Sequence, residues 1–333
     1  MKKFILVLLL VLPVQLLAQV TNWEKLQSIS NLQRIAFGSC NRQTDPQDIW
    51  DEVLLSTPDL FIWGGDNVYG DTEKPDELRA AYDIQNAVTE YKTLKATTPI
   101  IGNWDDHDYG QNDGNGFYKH KKESQRHLLD FLEEPVDSAR RSREGIYTSY
   151  SFGTAGRKIK IIILDNRYFK AMEKKAPMLG SAQWEWLENE LKNSDASLHL
   201  ISSGLSIIAP LTPRSEEWGD YPDEVRRLKN LLKKYQTKAP LFLTGDQHFS
   251  SILERDGFHE FISSGMTHNT RIPFRVYVYA RFPSPVFDHN FGLIDIDWTD
   301  TNPSLTLTSR NSEGKNRITK KLRWDHGNWQ TVR

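Results

Sequence analysis

Short apolar, β-branched runs that stop abruptly in polar sequence, and alternate with longer stretches of helical period, constrain this chain more than any other feature. The runs are Leu32–Phe37 (LQRIAF), Asp59–Trp63 (DLFIW), Pro99–Gly102 (PIIG), Lys158–Leu164 (KIKIIIL), Leu198–Ser202 (LHLIS) and Pro240–Leu243 (PLFL). Nearly continuous apolar runs of this length suit strands buried on both faces. Helical periodicity falls between them, over Pro46–Leu55, Pro75–Lys95, Tyr118–Phe131, Ala182–Leu191 and Asp223–Lys234. From about Ser250 the texture changes to strands and turns, in SSILERDGFHEFISSG, FGLIDIDW and SLTLTS, before a basic and polar end. An α/β half followed by a β-rich half fits two facing sheets with helices outside better than one doubly wound sheet. No internal repeat or low-complexity linker divides the chain, so residues 28–333 are expected to form one domain.

The residues ahead of that domain read MKKFILVLLLVLPVQLLAQ, with Lys2 and Lys3, an apolar run from Phe4 to Val14, and the small residue Ala18 before Gln19. This is the pattern of a secretory signal peptide over residues 1–18. The run is short for a membrane span, and no later segment is as hydrophobic, so an exported product without a transmembrane segment is expected, periplasmic or extracellular. An uncleaved N-terminal anchor is the alternative. A formal net charge of −2 offers no basic excess to recruit nucleic acid. Nothing in the sequence fixes the oligomeric state.

In open α/β sheets, ligands gather where loops leave the carboxyl ends of the strands. Here those loops are FGSCNRQ (Cys40, Asn41, Arg42), GGDNVYGD (Asp66, Tyr69, Asp71), NWDDHDYGQND (Asp105, Asp106, His107, Asp108), LDNRYF (Asp165, Arg167) and TGDQHFS (Asp246, His248). Carboxylate, imidazole, thiol and phenol groups recur at successive strand ends while the strand bodies are apolar, which is a metal-centre inventory. Each taken singly could be a turn residue or a satisfied core side chain. Four aspartates and a histidine between Asn103 and Asp113 would repel one another unless a cation sits among them. Cys40 is the only cysteine, so no internal disulfide can form. It is either a metal ligand or an inert buried thiol.

The motifs FGSCN, GGDNVYGD, WDDHDYG, LDNR and GDQH resemble the series of the PhoD-like alkaline phosphatases, a branch of the calcineurin-like metallophosphoesterase superfamily. The resemblance runs from about Ile35 to His248 and on through ISSGMTHN and HNFGLIDID. It implies a four-layer αββα sandwich of two mixed β-sheets flanked by helices, and a secreted metal-dependent phosphatase or phosphodiesterase. In the superfamily's Gly-Asp-x-x-Asp motif the first aspartate bridges two metal ions. Asp66 matches it, while Tyr69 replaces the last aspartate, as in the purple acid phosphatases. A phenolate suits a trivalent ion, and the thiolate of Cys40 stands where Asp-x-His would be, so the resemblance implies iron(III) with calcium. Asp246 and His248 match the final Gly-His-x-His pair with aspartate for the first histidine, which makes the second site harder and suits calcium or another hard divalent cation.

The resemblance also implies that Asp106 or Asp105 is a ligand, that His107 donates a proton to the leaving group, and that Asp108 orients His107. Arg167 is a candidate phosphate fork, with an ion pair to Asp165 as the bland alternative. Asn41 is a further candidate for substrate contact. The implied reaction is hydrolysis of a small-molecule phosphoester by metal-activated water. A catalytically silent phosphate- or metal-binding protein that keeps the fold is the alternative. A zinc amidohydrolase is disfavoured because no His-Glu-x-x-His motif is present.

Overall fold

The computed structural model describes residues 20–173, 177–211, 215–298 and 302–332. The expected signal peptide lies outside these residues. Among the described residues thirteen strands form two sheets: β1 (Arg34–Gly38), β2 (Leu60–Gly64), β3 (Ile100–Asn103), β4 (Thr148–Phe152), β5 (Ile159–Ile163), β6 (Leu198–Ser203), β7 (Pro240–Thr244), β8 (Ser250–Arg255), β9 (Phe258–Ser263), β10 (Asn290–Asp297), β11 (Ser304–Asn311), β12 (Asn316–Asp325) and β13 (Asn328–Val332). The helices are α1 (Asn22–Ser28), α2 (Ile49–Leu55), α3 (Pro75–Ala87), α4 (Thr89–Thr97), α5 (Asp106–Tyr109), α6 (Lys121–Phe131), α7 (Ala139–Ser142), α8 (Gly180–Lys192), α9 (Pro222–Lys234) and α10 (Ile272–Tyr279). No helix among the described residues is long and apolar enough to cross a membrane.

The first sheet has the order β13-β12-β11-β10-β1-β2-β3 and the second β4-β5-β6-β7-β9-β8. Strands β1, β2 and β3 run parallel, as do β5, β6, β7 and β9, while the later strands of the first sheet pair antiparallel. Period-2 alternation divides each buried strand between two cores. Ile161, Ile163, Leu200 and Leu241 point at the first sheet, whose Phe37 meets Phe261 edge-on at 4.9 Å. Ile162, Ile201 and Phe242 point the other way, onto Trp184, Leu187 and Leu191 of α8 and Leu228 and Leu231 of α9. On the far side of the first sheet, α2, α3, α4 and α6 supply Trp50, Tyr82, Tyr91 and Phe131. The result is the expected four-layer arrangement of helices, sheet, sheet and helices.

Three local expectations are corrected. The long helix expected over Pro75–Lys95 is two helices, because Val88 is extended (φ −62°, ψ 126°) and its N–H closes the first of them on the Gln85 carbonyl. The folded body begins upstream of residue 28. Asn22 of α1 is buried, donates to the carbonyls of Ile100 (2.7 Å) and Leu132 (2.9 Å), and accepts from Ile100 N–H (2.7 Å). The part of the chain after Ser250 is not purely β: α10 interrupts it, an apolar octapeptide whose all-round hydrophobicity hides its helical period.

His199 in β6 gives the fold a pH dependence of its own. Its ring is buried between the Lys238 carbonyl, which Nδ1–H faces at 2.7 Å, and Ser194 Oγ, 2.7 Å from Nε2. Burial pushes its pKa down to about 4. The unfolded chain takes up this proton near pH 6.5, whereas the native state refuses it. Stability present above about pH 6.5 is therefore lost as the pH falls to about 4, by about 3 kcal/mol from this residue. Urea unfolding at neutral pH and near pH 4 should show the loss, and His199→Gln should shrink it. An undiminished loss in the variant would assign it to other groups.

Candidate metal centre and active site

The carboxyl ends of β1, β2 and β3 from one sheet and of β5, β6 and β7 from the other bring their loops to one edge of the sandwich. The loops touch closely. A Cβ on Gly245 would lie 2.6 Å from Ser39 Oγ and 2.7 Å from the Gly64 carbonyl, and one on Gly204 would lie 2.6 Å from Asp105 Oδ1. Only glycine fits at such an approach. Four residues at these strand ends take left-handed backbone conformations without being glycine: Cys40 (φ 56°), Asp66 (φ 50°), Asp246 (φ 66°) and His248 (φ 58°). Each costs roughly 1 kcal/mol or more, and such strain persists where the surrounding structure fixes a side chain's direction. Here each conformation turns the chain sharply off its strand and delivers a side chain into a single cluster.

Among the described residues three sets of ligand atoms converge to within 4.8 Å: Cys40, Asp66 and His248; Asp66, Asp106 and His107; and Asp66, Asp105, Asp106 and Asp246. Asp66 belongs to all three. Its Oδ2 lies 3.3 Å from Cys40 Sγ, and its Oδ1 accepts the His107 backbone N–H at 3.3 Å. Tyr69 reaches the same place from the loop after β2, its hydroxyl 3.2 Å from His248 Nε2. Of the residues singled out from the sequence, the cluster gathers Cys40, Asp66, Tyr69, Asp105, Asp106, His107, Asp246 and His248.

The electrostatics of the cluster favour a cation. Burial, and then the neighbouring carboxylates, push Asp66 and Asp246 well above the ordinary carboxylate range. Burial, and then Asp66, pushes the Cys40 thiol well up; burial, and then Cys40 and Asp66, does the same to the Tyr69 phenol. Burial likewise depresses His248 to about 3, leaving a neutral imidazole fit to coordinate. Asp105 Oδ2 and Asp106 Oδ1 are buried without a hydrogen-bond partner. Among the described residues only Arg167 puts a fully buried positive charge against these carboxylates. One guanidinium does not balance four carboxylates, so the donor set fits bound metal ions and is costly without them.

Arg167 and Asn41 are both fully buried. Arg167 is completely buried. Its Nε donates to Asp105 Oδ1 at 2.6 Å and its Nη1 to Glu216 Oε2 at 2.5 Å, so the partner is Asp105 rather than Asp165. Asp165 is instead occupied by Trp104 Nε1 and by the backbone N–H groups of Ile146, Arg167 and Tyr168. Asn41 is also buried, its Nδ2 donating to Gln85 Oε1 (2.7 Å) and the Asn67 carbonyl (3.3 Å), which ties the first two loops together. Arg42 does line the pocket, its guanidinium stacked 4.9 Å over the Tyr69 ring.

Asp108 does not orient His107. Its carboxylate turns inward and accepts from the backbone N–H groups of Asp105 (2.7 Å), Asp66 (3.2 Å) and Asn67 (3.1 Å). The partner of His107 is Asp71, whose Oδ1 lies 2.7 Å from Nδ1. Burial works against protonation of His107, but the hydrogen bond to Asp71 and the charges of Asp106 and Asp105 hold it above its ordinary value. The ring stacks on Tyr69 at 4.1 Å and opens onto a pocket of about 500 Å³ that Asp106, Asp246, His248 and Arg42 also line. Asp71 was visible in GGDNVYGD, and nothing in the spacing marked it. His268, 4.3 Å from His248, lies in ISSGMTHN, a stretch through which the resemblance runs but in which no residue was singled out, and Glu216, which bridges Arg167 and Lys170, comes from a loop with no motif.

A family model described as PhoD-like phosphatase matches residues 35–277. Among solved structures, the chain is similar to one titled structure of PhoD (TM-score 0.72, 16% identity, covering 91% of this chain and 72% of that one). It is also similar to a purple acid phosphatase isolated from yellow lupin (Lupinus luteus) seeds (TM-score 0.59, 14% identity, 89% and 55%). A dimetal phosphatase from Danio rerio is a third such fold (TM-score 0.57, 12% identity, 89% and 100%). No curated protein sequence matches. The chain belongs to the PhoD-like phosphatase family and is a metal-dependent phosphatase.

Proposed function

We propose that this chain is an exported hydrolase of small-molecule phosphoesters in which Cys40, Asp66, Tyr69, Asp106, Asp246 and His248, with Asp105, hold two metal ions and His107 is the general acid. The observation that carries this is the sharing of Asp66 among three ligand sets directly beneath a pocket faced by His107 and Arg42. The thiolate, phenolate and imidazole of Cys40, Tyr69 and His248 suit iron(III), and the oxygen-only set of Asp105, Asp106 and Asp246 suits calcium. When bound, such ions supply Lewis acidity for generating the nucleophile and for neutralising phosphoryl charge.

The chain's own residues do the rest. The backbone N–H of Asp113 donates to Asp106 Oδ2 at 2.7 Å and leaves Oδ1 for coordination. Arg167 fixes Asp105 in the same manner. Arg42, which has no ion-pair partner among the described residues, is placed to bind a phosphoryl oxygen with parallel N–H donors. Asp71 fixes the His107 ring so that Nε2 carries the proton for the departing oxygen.

Reconstitution with iron and calcium tests this reading. The protein should absorb in the visible, through thiolate or phenolate bound to iron(III), and hydrolyse a chromogenic phosphate monoester or diester. A colourless protein with stoichiometric zinc would overturn the metal assignment, and a flat rate on both esters would leave the silent binding protein. Asp71→Asn should lower kcat by roughly 10- to 100-fold for esters with poor leaving groups while leaving metal content intact. Equal losses for good and poor leaving groups would show that Asp71 only supports the fold.

A further inference from the structure

A second concave site is built on α6 and shares no residue with the catalytic pocket. Its volume is about 470 Å³, in the range of small-molecule sites. Four cations line it, Lys122, Arg126, Arg141 and Arg143, against one carboxylate, Glu144, among the described residues. In a chain of formal net charge −2 that imbalance is local rather than compositional. Three of the four cations are uncommitted. Lys122 and Arg126, exposed and one turn apart on α6, make no ion pair among the described residues. Arg143 makes none either: its guanidinium stacks 3.9 Å over the Tyr147 ring, its Nε is buried without an acceptor, and burial pulls its pKa below the ordinary value. Arg141, by contrast, is spent on Asp130 Oδ1 (2.7 Å) and the Glu134 carbonyl (2.7 Å).

The walls of this pocket are tied together. Gln125 Nε2 donates to the carbonyls of Arg140 (2.7 Å), Arg143 (2.9 Å) and Gly145 (3.2 Å), so the loop that carries Arg143 is fastened to the helix that carries Lys122 and Arg126. Cations held in place ahead of binding lower the ordering cost a ligand meets. Tyr168 completes the lining, its phenol pushed up to about 12 by burial and then by Glu144, so it keeps its proton. Planar guanidinium donors beside an ammonium match the oxygens of a multiply charged phosphoryl group.

We propose that this pocket binds a phosphoryl group, free or carried on a small organic molecule, through Arg143, Arg126 and Lys122. The inference goes beyond the function proposed above, because none of the lining residues belongs to the metal cluster and the ligand here is held rather than cleaved.

The test is equilibrium dialysis of the metal-reconstituted protein against orthophosphate and, separately, against phenylphosphonate, which has no ester bond to hydrolyse. The native protein should bind one equivalent of phosphoryl group that Lys122→Gln/Arg126→Gln weakens by roughly 10- to 100-fold. Arg143→Gln should weaken the same equivalent to a similar degree. If loss of the stack on Tyr147 keeps that variant from folding, the α6 double variant, at exposed positions, still decides. Inhibition of p-nitrophenyl phosphate hydrolysis by orthophosphate reads the catalytic pocket and should be unchanged in the double variant. Binding of orthophosphate alone would support the proposal with free phosphate as the ligand, and binding of both probes would support it with the group on a carrier. Equivalents bound with native affinity in the double variant, or inhibition lost together with the equivalent, would overturn it. A protein without turnover would overturn the hydrolase function alone, since the equivalent lost in the variants is counted without activity.

Discussion

Asp66→Asn should abolish turnover, by roughly 10⁴-fold or more, and should remove metal from both positions. Asp66 is the residue common to all three convergent ligand sets, so removing its charge weakens each of them together. The substitution keeps the oxygen that accepts the His107 N–H, so the loop after β3 retains its anchor. The expected stability change has two signs. Without metal, the variant should be more stable than the native chain, because one of the mutually repelling buried charges is gone. With metal in excess, the native chain should gain stability by mass action and the variant should not. Metal analysis and thermal unfolding with and without added ions measure both. A variant that keeps two equivalents of metal and activity within tenfold of native would sink the bridging role.

His107→Ala should separate chemistry from binding. A positioned general acid contributes about 10²- to 10⁴-fold, so kcat for an alkyl phosphoester should fall by that range. For a p-nitrophenyl ester the loss should be far smaller, because that leaving group departs without needing a proton. Metal content should hold, since His107 is stacked on Tyr69 and tied to Asp71 at the pocket wall. The Asp71→Asn variant should show the same leaving-group signature in milder form. Equal losses across leaving groups would take the acid role away from His107 and leave it as a packing or ligand residue.

Much of this architecture is legible in the chain because period-2 and helical patterns report local burial. Lys158–Leu164 reads as a strand covered on both faces and Ala182–Leu191 as a helix; both hold, the helix packing Trp184, Leu187 and Leu191 into the second core. Failures came where local pattern is silent. Val88 breaks a helix without a glycine or proline to announce it, and α10 is too uniformly apolar to display a period. The ligand-type residues were readable because thiol, phenol, imidazole and carboxylate groups recurred at strand ends, where this class of fold gathers its ligands.

The partners of those residues were a different matter. Asp71, Asp108, Arg42 and Arg167 are ordinary charged residues whose work depends on direction, and direction is set by backbone conformation and by contacts from distant strands. Arg167 looked like a phosphate fork in LDNRYF, yet Asp105, 62 positions earlier, holds its Nε inside the protein. Asp108 looked like the neighbour of His107, yet the turn of α5 points it at three backbone N–H groups instead. The sequence by itself determined the layers and the kinds of donor available, since hydrophobic periodicity and side-chain chemistry are local properties. Only the tertiary structure decided which donor meets which, because left-handed turns at Cys40, Asp66, Asp246 and His248 and the contact between two sheets are what bring residues from five loops to one point.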